Sequence, residues 1–288
     1  MKNAVIMLTC NRKNYTERTL RSYGSQIGKR NDFDFFIHDN GSNDDTQDFL
    51  KSYSGPMKLD VTYSEQNIGI ACATKLLLEK KCFGKGYDFI VKVDDDEILP
   101  DNWPDILNYW NEIEKHDAPF IGFKRKEINE YFEGQRWVSC NPENMKPIRL
   151  GVFECYRSIA SPGVQISTEE WWKRVFDDLT DFSALYGGWD YTFMEALVKQ
   201  NRFFLVVTNF ETEHFQRDDD HLEFSRFKKR ETLKFRHDHR EKWRKTKKDF
   251  ENALQYLEDL KNRHPDHPRI KELMEKAESI KKKLGKSS

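Results

Sequence analysis

Phe89-Ile90-Val91-Lys92-Val93-Asp94-Asp95-Asp96 joins an apolar run to three consecutive carboxylates. The run reads as a buried strand, and in an α/β sheet the mouth beyond such a strand is where ligands bind. Carboxylates at i and i+2 of an extended segment point the same way, so Asp94 and Asp96 could share one divalent cation. A cation there would suit a diphosphate, whose charge needs neutralising for binding and for departure. A solvated acidic turn explains the triplet equally well when it is taken alone.

Working outward, the preceding chain alternates between strand and helix patterns. Ala4–Leu8 reads as a strand, Tyr15–Tyr23 as a helix, and Asp34–Ile37 as a strand ending in the turn residues Asp39-Asn40-Gly41-Ser42. Thr46–Tyr53 reads as a helix, Leu59–Ser64 as a strand, and Ala71–Lys80 as a helix after Asn67-Ile68-Gly69. This alternation argues for parallel β-α-β units. Beyond the triplet, Phe120–Phe123, Val164–Ile166 and Phe203–Phe210 read as strands, and Glu169–Phe176 and Tyr191–Lys199 as helices. The stretch Gln135–Leu150 is irregular.

The chain has 288 residues, 34% of them charged and 14% aromatic, with a mean hydropathy of -0.86, so a folded domain with an appendage is expected. No apolar run is long enough to span a bilayer, and the N-terminus enters a strand without a cleavage pattern. Cys10, Cys72, Cys82, Cys140 and Cys155 form no CxxC pair, which favours a reduced, cytoplasmic protein without a cysteine zinc site. The net charge of -1 hides an asymmetry: residues 219–288 carry 21 Lys/Arg against 14 Asp/Glu. Texture changes at the same place, so residues 1–218 are read as one domain and 219–288 as a helical extension.

Taken in order, Leu8-Thr9-Cys10-Asn11-Arg12, Asp39-Asn40-Gly41-Ser42, Asn67-Ile68-Gly69, Asp94-Asp95-Asp96, Gly187-Gly188-Trp189-Asp190 and Glu213-His214 resemble the motifs of family-2-like glycosyltransferases of the GT-A fold. The resemblance covers residues 3–215 or so, and it implies a Rossmann-like sheet that binds a nucleotide-sugar. It places Thr9, Asn11 and Arg12 around the nucleoside and diphosphate; Asn11 and Arg12 would otherwise only cap the next helix. It places Asp39 on the uracil imino N–H, hence a UDP-sugar donor, although Asp39 could also close an Asx-turn toward Ser42. Asn67 and Gly69 lead into a helix whose N-terminus favours phosphate. Many relatives carry an Arg-Asn pair on that helix, and here Lys75 stands for the arginine charge.

The resemblance further implies Asp94 and Asp95 near the nucleoside, with Asp96 and His214 on Mn²⁺ or Mg²⁺. A lone histidine is otherwise more often structural. Asp190 corresponds to the general base of inverting relatives, with Glu195 as a substitute, or else it is a plain N-cap for the following helix. Trp189 departs from the usual Glu-Asp pair. Ser161-Pro162-Gly163-Val164 resembles the loop lining the acceptor side, near Trp171, Trp172 and Trp189. Sugars stack on such rings, but core packing explains them too.

Residues 226–248 hold 12 Lys/Arg against Glu231, Asp238 and Glu241, interleaved with Phe and Trp. This helix packs on the first domain, docks on an anionic membrane surface, or tracks a nucleic-acid backbone. The resemblance implies an acceptor glycan or glycolipid in surface polysaccharide or glycolipid synthesis; lipid docking would make the protein peripheral at the inner membrane face, and nucleic-acid binding would instead make a base the acceptor. Two rivals stand beside a transferase. A nucleotidyltransferase would carry a Gly-rich loop after the first strand, which Leu8–Arg12 is not. A non-catalytic GT-A-fold binding protein would keep the sheet without the chemistry.

Overall fold

Val5 and Met7 face one hydrophobic core and Ala4 and Ile6 face another, on opposite sides of β1 (Asn3–Thr9). A strand buried on both faces is continuously apolar, which is why this run shows no polar alternation. The computed structural model describes residues 1–126, 147–158, 162–179, 193–194, 196–197, 199–200, 202–215, 258 and 262.

Within these residues the elements alternate as expected. α1 (Lys13–Ile27), β2 (Phe33–Asp39), α2 (Thr46–Lys51), β3 (Leu59–Tyr63), α3 (Ile70–Leu77) and β4 (Phe89–Asp94) follow β1. α3 continues into a wider π turn over Leu78–Cys82. Then come β5 (Glu97–Ile98), the short α4 (Trp110–Ile113), β6 (Phe120–Arg125), β7 (Ile148–Leu150), β8 (Phe153–Ser158), β9 (Gln165–Ser167), α5 (Glu169–Asp178) and β10 (Phe204–His214). The sheet order is β3-β2-β1-β4-β9-β6-β10-β8-β7, with β5 on β10. The β3-β2-β1-β4 half is parallel, whereas β9 is antiparallel to both β4 and β6.

β1 has β2 on one side and β4 on the other, so the chain changes direction there. Thr9 is level with Asp39, and Leu8 with Asp94. The ends of three strands thus meet at a topological switch point, where open α/β sheets bind ligands.

Three expectations need correcting. The strand before the triplet ends at Asp94, and Asp95-Asp96 form a turn into β5, so the triplet is not extended. The stretch read as irregular ends in strand β7, which forms a hairpin with β8 through Gly151-Val152. Gly151 sits at φ 57, the positive φ that a two-residue hairpin turn asks of its first position. The strand read as ending at Phe210 runs on to His214, the last residue of β10, which pairs with Glu97 of β5.

Buried His38 on β2 meets Thr62 Oγ1 at 2.8 Å and Ser64 Oγ at 3.0 Å. Burial holds its imidazole below the usual value, Lys80 adds to this, and Asp39 opposes it. The unfolded chain therefore takes up a proton at His38 more readily than the folded one. Stability contributed by the neutral ring is present above about pH 6.5 and is lost as pH falls below it. We expect the melting temperature to drop from pH 7.5 to 5.5 and His38→Gln to flatten that slope. An unchanged slope in thermal melts of the variant would remove His38 as its source.

Candidate active site

The loop after β1 is tied to the loop after β2 before any ligand is considered. Asn11 adopts φ 55, a left-handed conformation that asparagine tolerates. Its backbone N–H donates to Ser42 Oγ at 2.8 Å, and its Oδ1 accepts from the Asn43 N–H at 2.7 Å. The Arg12 N–H donates to Thr46 Oγ1 at 3.1 Å. Thr9 turns inward, its hydroxyl 2.7 Å from that of Thr16. Thr9 and Asn11 thus shape the rim through structural bonds.

Asp39 is fully buried. Its Oδ1 accepts from the Ser42 N–H at 3.0 Å and from Gln47 Nε2 at 2.9 Å, so the turn-closing role is real. Its Oδ2 is buried without a hydrogen-bond partner among the described residues. A buried carboxylate oxygen left unpaired is costly, and a ligand N–H would relieve that cost.

Asn67 builds the next wall. Its Oδ1 accepts from Asn40 Nδ2 and from the Gly69 N–H, while Asn40 Oδ1 accepts from the Ile68 N–H. Gly69, at φ 86, makes the turn into α3. Lys75 lies more than a turn further along α3, with Nζ 3.8 Å from Glu79 Oε1, in an open surface cleft with Cys72, Leu76 and Lys80.

The three aspartates face different cations. Asp94 accepts from Lys92 Nζ at 2.7 Å and from the Arg125 guanidinium at 2.8 Å. Arg12 forks onto the next two, 3.0 Å from Asp95 Oδ1 and 2.5 Å from Asp96 Oδ2. His214 Nε2 also reaches Asp96 Oδ2, at 3.3 Å. The turn at Asp95-Asp96 is held by Thr19 Oγ1 on the Asp95 carbonyl and by the Phe215 N–H on the Asp96 carbonyl, and Asp94 and Asp96 each lie against a different guanidinium, Arg125 and Arg12.

These environments split the three acids. Burial pushes the Asp95 carboxyl up to about 6, helped by Asp96 and Asp94 and opposed by Arg12 and Thr9. Burial would raise Asp96 as well, but His214 and Arg12 more than offset it and hold that carboxyl well below the usual range. Asp94 is likewise lowered, Lys92 and Arg125 outweighing burial.

Asp96 Oδ2 and His214 Nε2 fit a small divalent cation as two neighbouring ligands. Bonds of about 2.1 Å at right angles put two donors about 3 Å apart. Among the described residues no cluster of three His, Cys, Asp or Glu side chains suits a metal ion. Such a cation would take its remaining ligands from phosphate oxygens and water, as Mg²⁺ does at nucleotide sites.

Lys92, Glu97 and Arg125 are the site residues that motif reading passed over. Glu97 is wholly buried, accepts from Arg125 Nη2 at 3.0 Å and from the Thr212 hydroxyl, and lies directly after the triplet. Lys92 carried a usable signal, because a lysine inside a strand buried on both faces needs a carboxylate on its own side, two residues away. Gly163 packs against this network so closely that a β-carbon would collide with Glu97 and Arg125. Trp172 belongs to the core, its Nε1 donating to the Ile90 carbonyl at 3.1 Å, while Trp171 carries the guanidinia of Arg174 and Arg202 over its ring.

Asp190, Glu195, Ser161, Gly187-Gly188-Trp189, Cys140 and the basic segment 226–248, with most of the extension 219–288, lie outside the described residues. Burial pushes the thiols of Cys82 and Cys155 up to about 12. No helix among the described residues is long and apolar enough to cross a membrane.

Among solved structures, the fold is similar to Staphylococcus aureus TarS 1-349 in complex with UDP-GlcNAc, at a TM-score of 0.54 and 20% identity over 77% of this chain. It is also similar to GalNAc-T7 with UDP, GalNAc and Mn²⁺, at a TM-score of 0.55 and 16% identity over 74% of this chain. The chain spans 61% of the former and 43% of the latter. No curated protein sequence matches it. The sheet order, the switch point and these likenesses describe a GT-A domain. The sequence matches the family described as Glycosyl transferase family 2 over residues 4–200, more than half of its length, and the chain belongs to that family.

Proposed function

We propose that the protein transfers a sugar from a UDP-sugar to an acceptor hydroxyl on a glycan or glycolipid, with inversion at the anomeric carbon. The observation that carries this reading is Asp39 Oδ2, buried without a hydrogen-bond partner among the described residues at the strand end level with Thr9. UDP in the TarS and GalNAc-T7 structures supports the choice of nucleotide, and Mn²⁺ in the latter supports the choice of cation.

In this reading Asp39 Oδ2 accepts the imino N–H of uracil, while Oδ1 stays on Ser42 and Gln47. Asp94, fixed by Lys92 and Arg125, faces the ribose, with Asp95 beside it. Asn11, Asn67 and Gly69 hold the loops that frame the diphosphate, and Thr9 anchors the first of them to α1. Lys75 adds positive charge further along α3. Asp96 and His214 would hold Mn²⁺ or Mg²⁺, which when bound supplies the charge that stabilises the departing diphosphate. Asp190 accepts the acceptor's proton as its oxygen attacks the sugar.

The direct test is UDP release from a panel of UDP-sugars with Mn²⁺, with and without EDTA. Turnover of one donor that EDTA abolishes is expected, and no turnover with any of them would count against the reading. Asp39→Asn isolates the nucleotide. The amide oxygen can keep the Ser42 and Gln47 bonds while its NH₂ replaces Oδ2 and opposes the imino N–H. Losing a charged hydrogen bond of about 1.5–3 kcal/mol predicts UDP binding weaker by about ten- to a hundredfold. Calorimetry giving unchanged affinity would reject uracil as the partner of Asp39.

A further inference from the structure

We propose that Arg12 is a resident counter-cation that competes with the divalent metal for Asp96, so that the metal enters only when a nucleotide diphosphate gives Arg12 another partner. This rests on the reading of Asp96 and His214 as metal-holding residues.

Asp95 and Asp96 are both buried, and two adjacent buried carboxylates repel one another unless a cation lies between them. Arg12 supplies it, with one guanidinium nitrogen on each acid. The guanidinium also lies over the Tyr15 ring, 4.5 Å from its centre, so it is fixed by stacking as well as by charge.

Asp96 Oδ2 is consequently shared between the guanidinium at 2.5 Å and the His214 imidazole at 3.3 Å. A divalent cation bound to that oxygen would stand against the guanidinium within a few ångströms, in a buried place where solvent screens little. The two occupancies exclude one another.

Arg12 has somewhere to go. Its backbone N–H is pinned to Thr46 and its neighbour Asn11 to Ser42 and Asn43, so only side-chain torsions need change. From the end of β1 the side chain serves the same rim as Asp39, and a diphosphate there offers the paired oxygens that a guanidinium binds by its fork. Metal and nucleotide are therefore expected to bind with strong mutual dependence, and Arg12 is the residue that couples them.

The test is Mn²⁺ binding by calorimetry and by the electron paramagnetic resonance of free Mn²⁺, with full-length wild type and Arg12→Gln, with and without UDP. Wild type should bind Mn²⁺ weakly alone and at least tenfold more tightly with UDP. Arg12→Gln should bind Mn²⁺ alone at least tenfold more tightly than wild type and lose most of the UDP dependence. Should circular dichroism show Arg12→Gln unfolded, Arg12→Lys decides, because an ammonium cannot fork across both acids; a gain of threefold or more in Mn²⁺ affinity is expected.

Equal Mn²⁺ affinity in wild type and the folded variant, with metal still bound alongside UDP, would overturn the competition and leave the metal site standing. UDP binding without Mn²⁺ binding in any variant would bring down the metal reading and this proposal with it.

Discussion

Arg125→Met is expected to lower the stability of the fold by about 3–5 kcal/mol, the cost typical of removing one partner of a buried ion pair. Arg125 ends β6 and bridges Asp94 at 2.8 Å and Glu97 at 3.0 Å. Glu97 has no exposed surface, so without the guanidinium its charge is left with the Thr212 hydroxyl alone among its described side-chain contacts. Methionine fills the volume and supplies no compensating charge. At the 2–4 °C per kcal/mol typical of chains near this size, the melting temperature should fall by about 10 °C.

Glu97→Gln placed on top of Arg125→Met removes the stranded charge and keeps an acceptor for Thr212, and it should recover more than half of the loss. Urea melts of the two variants test this. A loss below about 1 kcal/mol for Arg125→Met, the range of an exposed pair, would mean that the bridge contributes little. Because the same guanidinium steadies Asp94, the variant links the packing beneath the sheet to the rim above it.

Much of that rim was legible from residue order alone. The strand ends carrying Thr9, Asp39 and Asp94 do meet, because parallel β-α-β units bring successive strand ends to one edge. Asp96 and His214, far apart in sequence, also come within 3.3 Å. Local reading went wrong where tertiary partners override the strand pattern. Asp95-Asp96 turn because Thr19, Arg12 and Phe215 hold them from three other places in the chain. No window of a few residues contains that information.

The β7–β8 hairpin escaped for a different reason. Glu154 and Tyr156 make one face of β8 look polar and Arg157 interrupts the other, so only the packing beside β10 shows that Phe153 and Cys155 are core. Lys92, buried in the middle of β4, escaped because motif reading attends to strand ends. A charge in the middle of a strand has no motif, only the requirement that its counter-ion be nearby.

Asp190→Asn is expected to reduce sugar transfer by about a hundred- to ten-thousandfold, the contribution of a general base, while UDP affinity and melting temperature stay near those of wild type. Asparagine separates the two roles that Asp190 could fill. Asn and Asp cap helix N-termini about equally well, so the substitution leaves a capping role intact. An amide cannot take up the acceptor's proton, so the substitution removes a basic role entirely. Trp189 and Tyr191 flank Asp190, so no neighbouring acid is available to take over at an adjacent position. Asp190→Ala then serves as the complement, losing about 1 kcal/mol of stability if the cap is also real. Initial rates of transfer, read beside UDP calorimetry and melts on the same preparations, give the answer. Transfer that survives in Asp190→Asn would return Asp190 to the cap alone and shift the search for the base to Glu195.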